Sequence, residues 1–190
     1  MQDPTFLPAD LPVPHDDGAC AHLTGMALPD VTLPATSGEP VVLSSLPGRV
    51  VLYLYPRTAQ PGETLDDWDV IPGARGCTPQ ACAFRDHHAE LLALDAQVYG
   101  VSTQATAVQQ EAAARLHLPF PLLSDAALTL ARALHLPTFT YRGEVLLRRA
   151  TLIADGGIIR HVMSPVFPPD RNATDVLDWL KGHQMRVRAR

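Results

Sequence analysis

The sequence of 190 residues contains few charged side chains, no basic residue near its start and no long apolar run. Charged residues make up 18% of it, below the roughly 25% of an average globular protein, and the net charge is −5. A nucleic-acid-binding face is normally basic, so binding to nucleic acid is not expected. Because no Lys or Arg precedes Arg49 and no apolar run reaches the roughly 18 residues of a membrane span, we expect a cytoplasmic protein without a secretory signal or membrane segment.

Cysteine is also scarce, with only three residues in the chain: Cys20, Cys77 and Cys82. An odd number of cysteines in a reducing compartment argues against a framework of structural disulfides. The cysteines therefore need another explanation. Apolar residues make up 46% of the sequence, enough for one domain with a sizeable core.

Proline is the residue in clear excess, at 18 positions, against a typical share of about 5%. Residues 1–24 are proline-rich without a hydrophobic period, which predicts an N-terminal extension that is ordered only where it lies on the domain. We assign residues 25–184 to one domain. The basic residues in 185–190 are interpreted as a solvated C-terminal tail.

The middle of the chain predicts a buried strand, a long loop and a helix. The continuous apolar run of residues 50–55 is typical of a central strand buried on both faces, and Pro56 ends it. Residues 57–76 then form a loop whose length suggests a functional role. The next helix is expected to run from near Cys77 to about Leu94, with Thr78 as N-cap and Pro79 at its first position.

Further strands and helices alternate towards the C-terminus. Short strands are predicted within 28–46, strands at 97–102, 120–123, 146–153 and 157–163, and helices at 105–116, 126–135 and 172–182, the last with Asn172 as N-cap. The turn of Asp155, Gly156 and Gly157 indicates a hairpin, whereas the earlier βαβ order predicts parallel strands. The expected fold class is α/β, with a mixed central sheet and helices on both of its faces.

Cys77 stands at a helix N-terminus, where free N–H groups and the positive end of the helix favour a thiolate. Its alternatives are an inert, buried cysteine or a zinc ligand together with Cys82, His87 and His88. A structural zinc site would need a second ligand pair elsewhere, and the sequence offers none, so no metal is predicted. A thioredoxin-like dithiol would need Cys-x-x-Cys, but residues 78–81 separate the two cysteines.

The segment from Tyr53 to Asp86 resembles the active-site segment of peroxiredoxins, most closely the Q-type or bacterioferritin-comigratory-protein type, and the resemblance extends over about residues 25–181. In that family a strand ends in a proline, a cysteine opens a helix in a Gly-Cys-Thr context, and a second cysteine often lies five positions on. An arginine also precedes a Thr-containing strand. The matching positions here are Pro56, Gly76-Cys77-Thr78, Cys82, Phe84-Arg85-Asp86 and Arg149-Ala150-Thr151-Leu152-Ile153.

The resemblance implies a thioredoxin-like fold and a thiol-dependent peroxidase that needs no cofactor. Cys77 would attack hydrogen peroxide or an organic hydroperoxide, Cys82 would form a disulfide with it, and a thioredoxin or similar dithiol would reduce that disulfide. Arg149 would stabilise the thiolate, with Arg148 as the competing neighbour, and Pro56 would shield it. Such relatives are often monomeric. The remaining functional hypotheses are a thioredoxin-fold redox sensor and a protein-disulfide reductase.

One departure from the family pattern lies between Pro56 and Cys77. The family spacing is Pro-x₃-Thr-x₂-Cys, whereas here the longer segment 57–76 intervenes and Ala74 stands three positions before the cysteine. The active-site hydroxyl would come from Thr58, from Thr64, or from neither. Cys20 has no counterpart in the family pattern, and His87 and His88 are assigned no role.

Overall fold

A computed structural model describes the backbone of residues 7–188 and the side chains of residues 7–183. The strands are β1 (Thr32–Leu33), β2 (Val41–Val42), β3 (Arg49–Leu54), β4 (Ala96–Ser102), β5 (Leu122–Ser124), β6 (Thr138–Tyr141), β7 (Glu144–Leu147), β8 (Ala150–Asp155) and β9 (Ile158–Met163). The helices are α1 (Cys77–Asp86), α2 (His88–Ala93), α3 (Thr106–Arg115), α4 (Thr129–Ala133) and α5 (Asn172–Arg188), with short 3₁₀ turns at Leu43–Ser45 and Pro169–Arg171. None of these helices has the length and apolar character that crossing a membrane requires.

The central sheet has the strand order β5-β4-β3-β8-β9. Strands β3, β4 and β5 are parallel, whereas β8 is antiparallel to β3 and β9 to β8. The mixed sheet predicted from the βαβ order and the Asp155–Gly157 turn is thereby confirmed. The strand predicted from the apolar run at 50–55 is confirmed as the middle strand β3, with Val51, Leu52 and Leu54 each 0% exposed.

Side chains on β3 alternate between two cores, one on each face of the sheet. On one face Val50 and Leu52 pack with α4 and with the segment around Leu23. On the other face Val51 and Tyr53 pack with α1, α2 and α5. Helices therefore cover both faces, as predicted, and the start of α1 lies over the end of the central strand.

Two helix predictions near the site are corrected. The helix expected from Cys77 to Leu94 is divided at His87, because α1 packs on α5 whereas α2 packs on β4. Its N-cap is Gly76 rather than Thr78, and Thr78 and Pro79 lie inside the first turn. Gly76 has φ of 105°, and a side chain there would also collide with Pro169, so glycine is required on both grounds.

Other boundaries also differ from the predictions. The stretch predicted as one strand over 146–153 belongs to β7 and β8, because β7 pairs with the unpredicted β6 in a separate hairpin. Helix α4 is shorter than the predicted 126–135, since Leu128 and His135 both adopt positive φ. Strand β5 begins at Leu122, and α5 continues to Arg188 through Gly182, where a stop was expected. Glycine inside a helix costs about 1 kcal/mol, which packing readily offsets.

Candidate active site

Cys77 is the first residue of α1 and is 4% exposed. Its thiol lies 3.6 Å from the carbonyl oxygen of Ala74, to which it donates. The helix N-terminus places unpaired N–H groups and a partial positive charge at this position. The prediction that Cys77 opens a helix is therefore confirmed.

Arg149 lies in the break between β7 and β8 and is 5% exposed. Its Nη2 atom lies 3.1 Å from the Sγ atom of Cys77. Within the described residues no carboxylate forms an ion pair with it. The other hydrogen bonds of the guanidinium go to the side-chain amide of Gln80 and to the backbone carbonyls of Gly73 (3.2 Å), Ala74 (3.0 Å) and Arg75 (3.2 Å). The cation is thus surrounded by neutral acceptors, and the sulfur is the one group among them that can carry a compensating negative charge.

Arg148, the sequence competitor of Arg149, points away from the site. Its Nη1 atom donates to Asp17 at 2.6 Å, on the N-terminal segment. The backbone break at these two arginines directs their side chains to opposite sides. Of the two arginines, Arg149 is therefore the one beside Cys77.

A buried chain of polar side chains supports Arg149, and the sequence reasoning missed it. Gln80 accepts from Arg149 and donates to Oδ1 of Asn172 at 2.9 Å; the hydroxyl of Thr151 donates to the same oxygen at 2.7 Å. All three partners are at most 1% exposed. Asn172, predicted as a helix cap, is instead the first helical residue and uses its side chain in this chain of bonds. The one available sequence signal was the position of Gln80, three residues after Cys77 and hence on the same helix face.

A narrow, largely apolar cavity lies next to Cys77. Pro56 is buried after β3, and Tyr55 before it and Thr58 two positions after it line the cavity. The lining residues are Tyr53, Tyr55, Thr58, Cys77, Ala81, Ala112, Leu116, Leu118 and Leu122. Thr58 is 3% exposed, and its hydroxyl and backbone N–H both donate to Oε1 of Gln104 at 3.3 and 2.9 Å. Thr64 is exposed, so of the two threonines Thr58 is the one that lines this cavity.

Cys82 lies on the same helix as Cys77 and is partly buried. Burial raises the pKa of its thiol above the ordinary 9.0, and the nearby positive charge of Arg85 partly opposes this. Both cysteines are free thiols in this structure. Cys20 is a free thiol too, but it is buried in the core on the opposite face of the sheet.

The two histidines considered as metal ligands, His87 and His88, have separate partners. His87 pairs with Glu90 at 2.7 Å, whereas the ring of His88 packs at 5.6 Å from that of Phe120. In the part of the chain that the structure describes, no group of three or more His, Cys, Asp or Glu side chains is arranged to hold a metal ion.

The inserted loop 57–76 is anchored at its middle and at its C-terminal end. In the middle, Trp68 packs 4.9 Å from the ring of Tyr141 on β6, and the hydroxyl of Tyr141 donates to the carbonyl of Asp66 at 2.7 Å. At the C-terminal end, Arg149 donates hydrogen bonds to the carbonyls of residues 73–75. The loop is therefore fixed to the β6–β7 hairpin and to the arginine of the site.

Known proteins match most of this chain in sequence and in fold. The family model described as Redoxin matches residues 23–177. Chloroplastic peroxiredoxin Q of Arabidopsis thaliana is 31% identical over 158 residues, covering 83% of this chain and 66% of that protein. The Sedum lineare protein of the same name is 30% identical over 158 residues, covering 83% and 77%. The crystal structure of peroxidoxin BcpB from Mycobacterium tuberculosis matches with a TM-score of 0.67 and 30% identity, covering 84% of this chain and 96% of that one.

The chain spans just under two thirds of the length of the Arabidopsis protein and somewhat more of the Sedum protein. The match nevertheless includes β3, the helix that begins with Cys77, and Arg149. The chain therefore belongs to the Redoxin family and, within it, to the Q-type peroxiredoxins.

Proposed function

We propose that this peroxiredoxin reduces hydrogen peroxide and organic hydroperoxides with the thiolate of Cys77. The observation that carries the proposal is the 3.1 Å contact between the sulfur and the guanidinium of Arg149. A buried cation without a counter-ion is strongly unfavourable. Since Arg149 has no carboxylate partner among the described residues, a thiolate at Cys77 compensates its charge.

In the first step the thiolate attacks one oxygen of the hydroperoxide and the O–O bond breaks. The sulfur is oxidised to a sulfenic acid that keeps the proton of the attacked oxygen, and the leaving oxygen takes one proton from solvent to become an alcohol or water. Arg149 would hold the reacting oxygens by charge-assisted hydrogen bonds. Gln80 acts through Arg149 and is a positioning residue.

In the second step the thiol of Cys82 displaces the sulfenic oxygen, which leaves as water, and a Cys77–Cys82 disulfide forms. A thioredoxin or similar dithiol then reduces it by exchange and is itself oxidised to a disulfide. The presence of both free thiols on α1 supports this assignment. The cycle requires no metal or cofactor.

Pro56 and Thr58 complete the proposed site. Pro56, which follows β3, shields the sulfur of Cys77 from water. Thr58 supplies the active-site hydroxyl, which in the family pattern comes from a threonine three positions before the cysteine. Burial of Thr58 in the cavity wall supports that assignment over Thr64. We expect Thr58→Val to slow peroxide attack, whereas Thr64→Val should leave the rate unchanged.

The proposal includes a monomeric, cytoplasmic protein. Two bridges, Ala27 with Ile158 and Ala35 with Leu123, cover parts of both edges of the central sheet and leave less edge for pairing between copies. Three unpaired cysteines suit a reducing compartment. Sedimentation equilibrium would test the monomeric state, and cell fractionation would test the cytoplasmic location.

The decisive experiment is peroxide consumption with thioredoxin and its reductase. Wild-type protein and Cys20→Ser should turn over many times, Cys77→Ser should be inactive, and Cys82→Ser should stop after one oxidation unless another thiol resolves it. A redox sensor would form the disulfide once without sustained turnover. A protein-disulfide reductase would reduce protein disulfides without consuming peroxide.

A further inference from the structure

The N-terminal segment, residues 7–24, extends from the residues directly before Cys77 to the core on the opposite face of the sheet. Its later part is firmly anchored: Cys20 and Leu23 are 4% and 0% exposed, and Asp17 pairs with Arg148 at 2.6 Å. The ring of His22 is hydrogen-bonded to the carbonyl of Leu134 at 2.9 Å. The family match begins only at residue 23, so most of this segment lies outside the shared pattern.

The earlier part of the segment reaches the end of the inserted loop. The side chain of Pro14 lies 3.5 Å from the point where a Cβ atom on Gly73 would stand. A methyl carbon of Leu7 lies 3.0 Å from the corresponding point on Gly76, the residue directly before Cys77. Two features that depart from the family pattern, the extension and the insertion, therefore contact each other beside the reactive cysteine.

The same stretch of loop is held from within by Arg149. The guanidinium binds the carbonyls of residues 73–75 and the sulfur of Cys77, while Pro14 lies beside Gly73 and Leu7 beside Gly76. Beside the same point on Gly76, next to Leu7, Pro169 fills the space where a side chain would stand. The junction between loop and helix is thus enclosed by the N-terminal segment, by Arg149 and by the turn before α5.

We propose that residues 7–17 form a strap that keeps the first turn of α1 helical and so limits how fast Cys77 is released to meet Cys82. The proposal rests on the proposed function, in which these two cysteines form a disulfide. Residues five apart on an intact helix stand too far apart to be bridged, so the first turn must open. Opening moves Gly76 and Cys77 away from Leu7 and Arg149, and any contact that stabilises the closed form slows the step.

The test compares full-length reduced proteins by amide hydrogen exchange. Leu7→Ala and Pro14→Ala, the contact variants, remove side-chain atoms that lie against Gly76 and Gly73. Leu7→Met keeps a side chain of about the wild-type volume at position 7. Val13→Ala is the matched control, because the side chain of Val13 is 67% exposed. We expect exchange across residues 76–80 to be about five times faster in the two contact variants, unchanged in the control and restored by methionine. Exchange within β3 and β8 should stay unchanged, which separates loosening of the strap from loss of the fold.

Rapid-quench measurement of the disulfide after a single peroxide addition tests the consequence. In the contact variants the Cys77–Cys82 disulfide should form about five times faster, with peroxide attack altered less than about twofold. Equal exchange in wild type and contact variants would overturn the strap, and faster exchange with an unchanged disulfide rate would overturn its control of the step. Absence of peroxide attack in the wild type would instead refute the proposed function, because exchange is measured without peroxide.

Discussion

Arg149 and Cys77 are 72 positions apart in sequence, yet the guanidinium and the sulfur lie 3.1 Å from each other. The contact exists because the chain breaks its strand pairing between Leu147 and Ala150, which turns Arg149 inward and Arg148 towards Asp17. Two neighbouring arginines of equal charge therefore have different surroundings. One is enclosed with the sulfur, and the other forms an ion pair near the surface.

Replacing these arginines one at a time separates their roles. Arg149→Ala should slow peroxide attack about 10- to 100-fold, the effect of losing one hydrogen bond to a charged group. Arg148→Ala should leave the rate of peroxide attack close to wild type. Stopped-flow oxidation with hydrogen peroxide measures this rate in each variant. An equal loss in both variants would contradict the assignment.

The disulfide step should depend on pH through Cys82. Burial raises the pKa of this thiol above 9.0, while the charge of Arg85 acts in the opposite direction. Only the thiolate is an effective nucleophile, so the rate of disulfide formation should rise with pH beyond 9.0. Arg85→Ala should move that rise to still higher pH, whereas Arg132→Ala should not. A rate independent of pH would show that deprotonation of Cys82 does not contribute to the rate of the step.

Local sequence patterns predicted the parts of the site that depend on local structure. The apolar run of β3, the loop after Pro56 and the helix N-terminus at Cys77 each have a signal within a few residues. Two hydrogen bonds of the site join residues that are distant in sequence. Gln80 and Asn172 are 92 positions apart, and Thr58 and Gln104 are 46 positions apart. Local hydrophobic periodicity cannot predict such contacts. The β6–β7 hairpin was missed for a related reason, since its strands pair outside the central sheet.

The inserted loop should influence which peroxides react. Trp68 is 4% exposed and packs against Tyr141 and Phe139, so Trp68→Ala should cost about 3 kcal/mol of loop stability. We expect the ratio of rates for hydrogen peroxide and a bulky organic hydroperoxide to change in this variant. Val70→Ala, at a side chain that is 69% exposed, is the control within the same loop. An identical ratio of rates in the wild type, Trp68→Ala and Val70→Ala would show that the loop does not influence which peroxides react.

Two stacked tyrosines, one near the end of β3 and one just after it, provide a test of buried hydroxyl groups. Tyr53 and Tyr55 are 0% and 1% exposed; among the described residues the hydroxyl of Tyr55 has a hydrogen-bond partner, the amide of Gln109 at 3.4 Å, whereas that of Tyr53 has none. Removing an unpaired buried hydroxyl should not destabilise the fold, so Tyr53→Phe should be neutral or stabilising by about 1 kcal/mol. Tyr55→Phe should be destabilising by a similar amount. Urea unfolding of both variants gives the comparison, and a loss of stability only in Tyr53→Phe would show that its hydroxyl has a partner in solution.

Oxidation should unwind the start of α1, because Cys77 and Cys82 lie on one continuous helix. Residues five apart on a helix differ by a rise of about 7.5 Å and a turn of roughly 140°, which puts their Cα atoms about 8–9 Å apart. A disulfide bridges Cα atoms up to about 7 Å apart, so it cannot form across the intact turn. The first intrahelical hydrogen bond runs from the N–H of Gln80 to the carbonyl of Gly76, so opening of the first turn breaks few backbone bonds.

We therefore expect faster hydrogen exchange over residues 77–85 in the oxidised protein than in the reduced one, with the Cys77–Cys82 link identified by peptide mass. The Cys82→Ser variant should keep slow exchange in this segment after reaction with one equivalent of peroxide, because the sulfenic acid alone does not require the turn to open. Equal protection of the oxidised and reduced wild type, or a disulfide joining Cys77 to Cys20 or to another chain, would contradict the prediction.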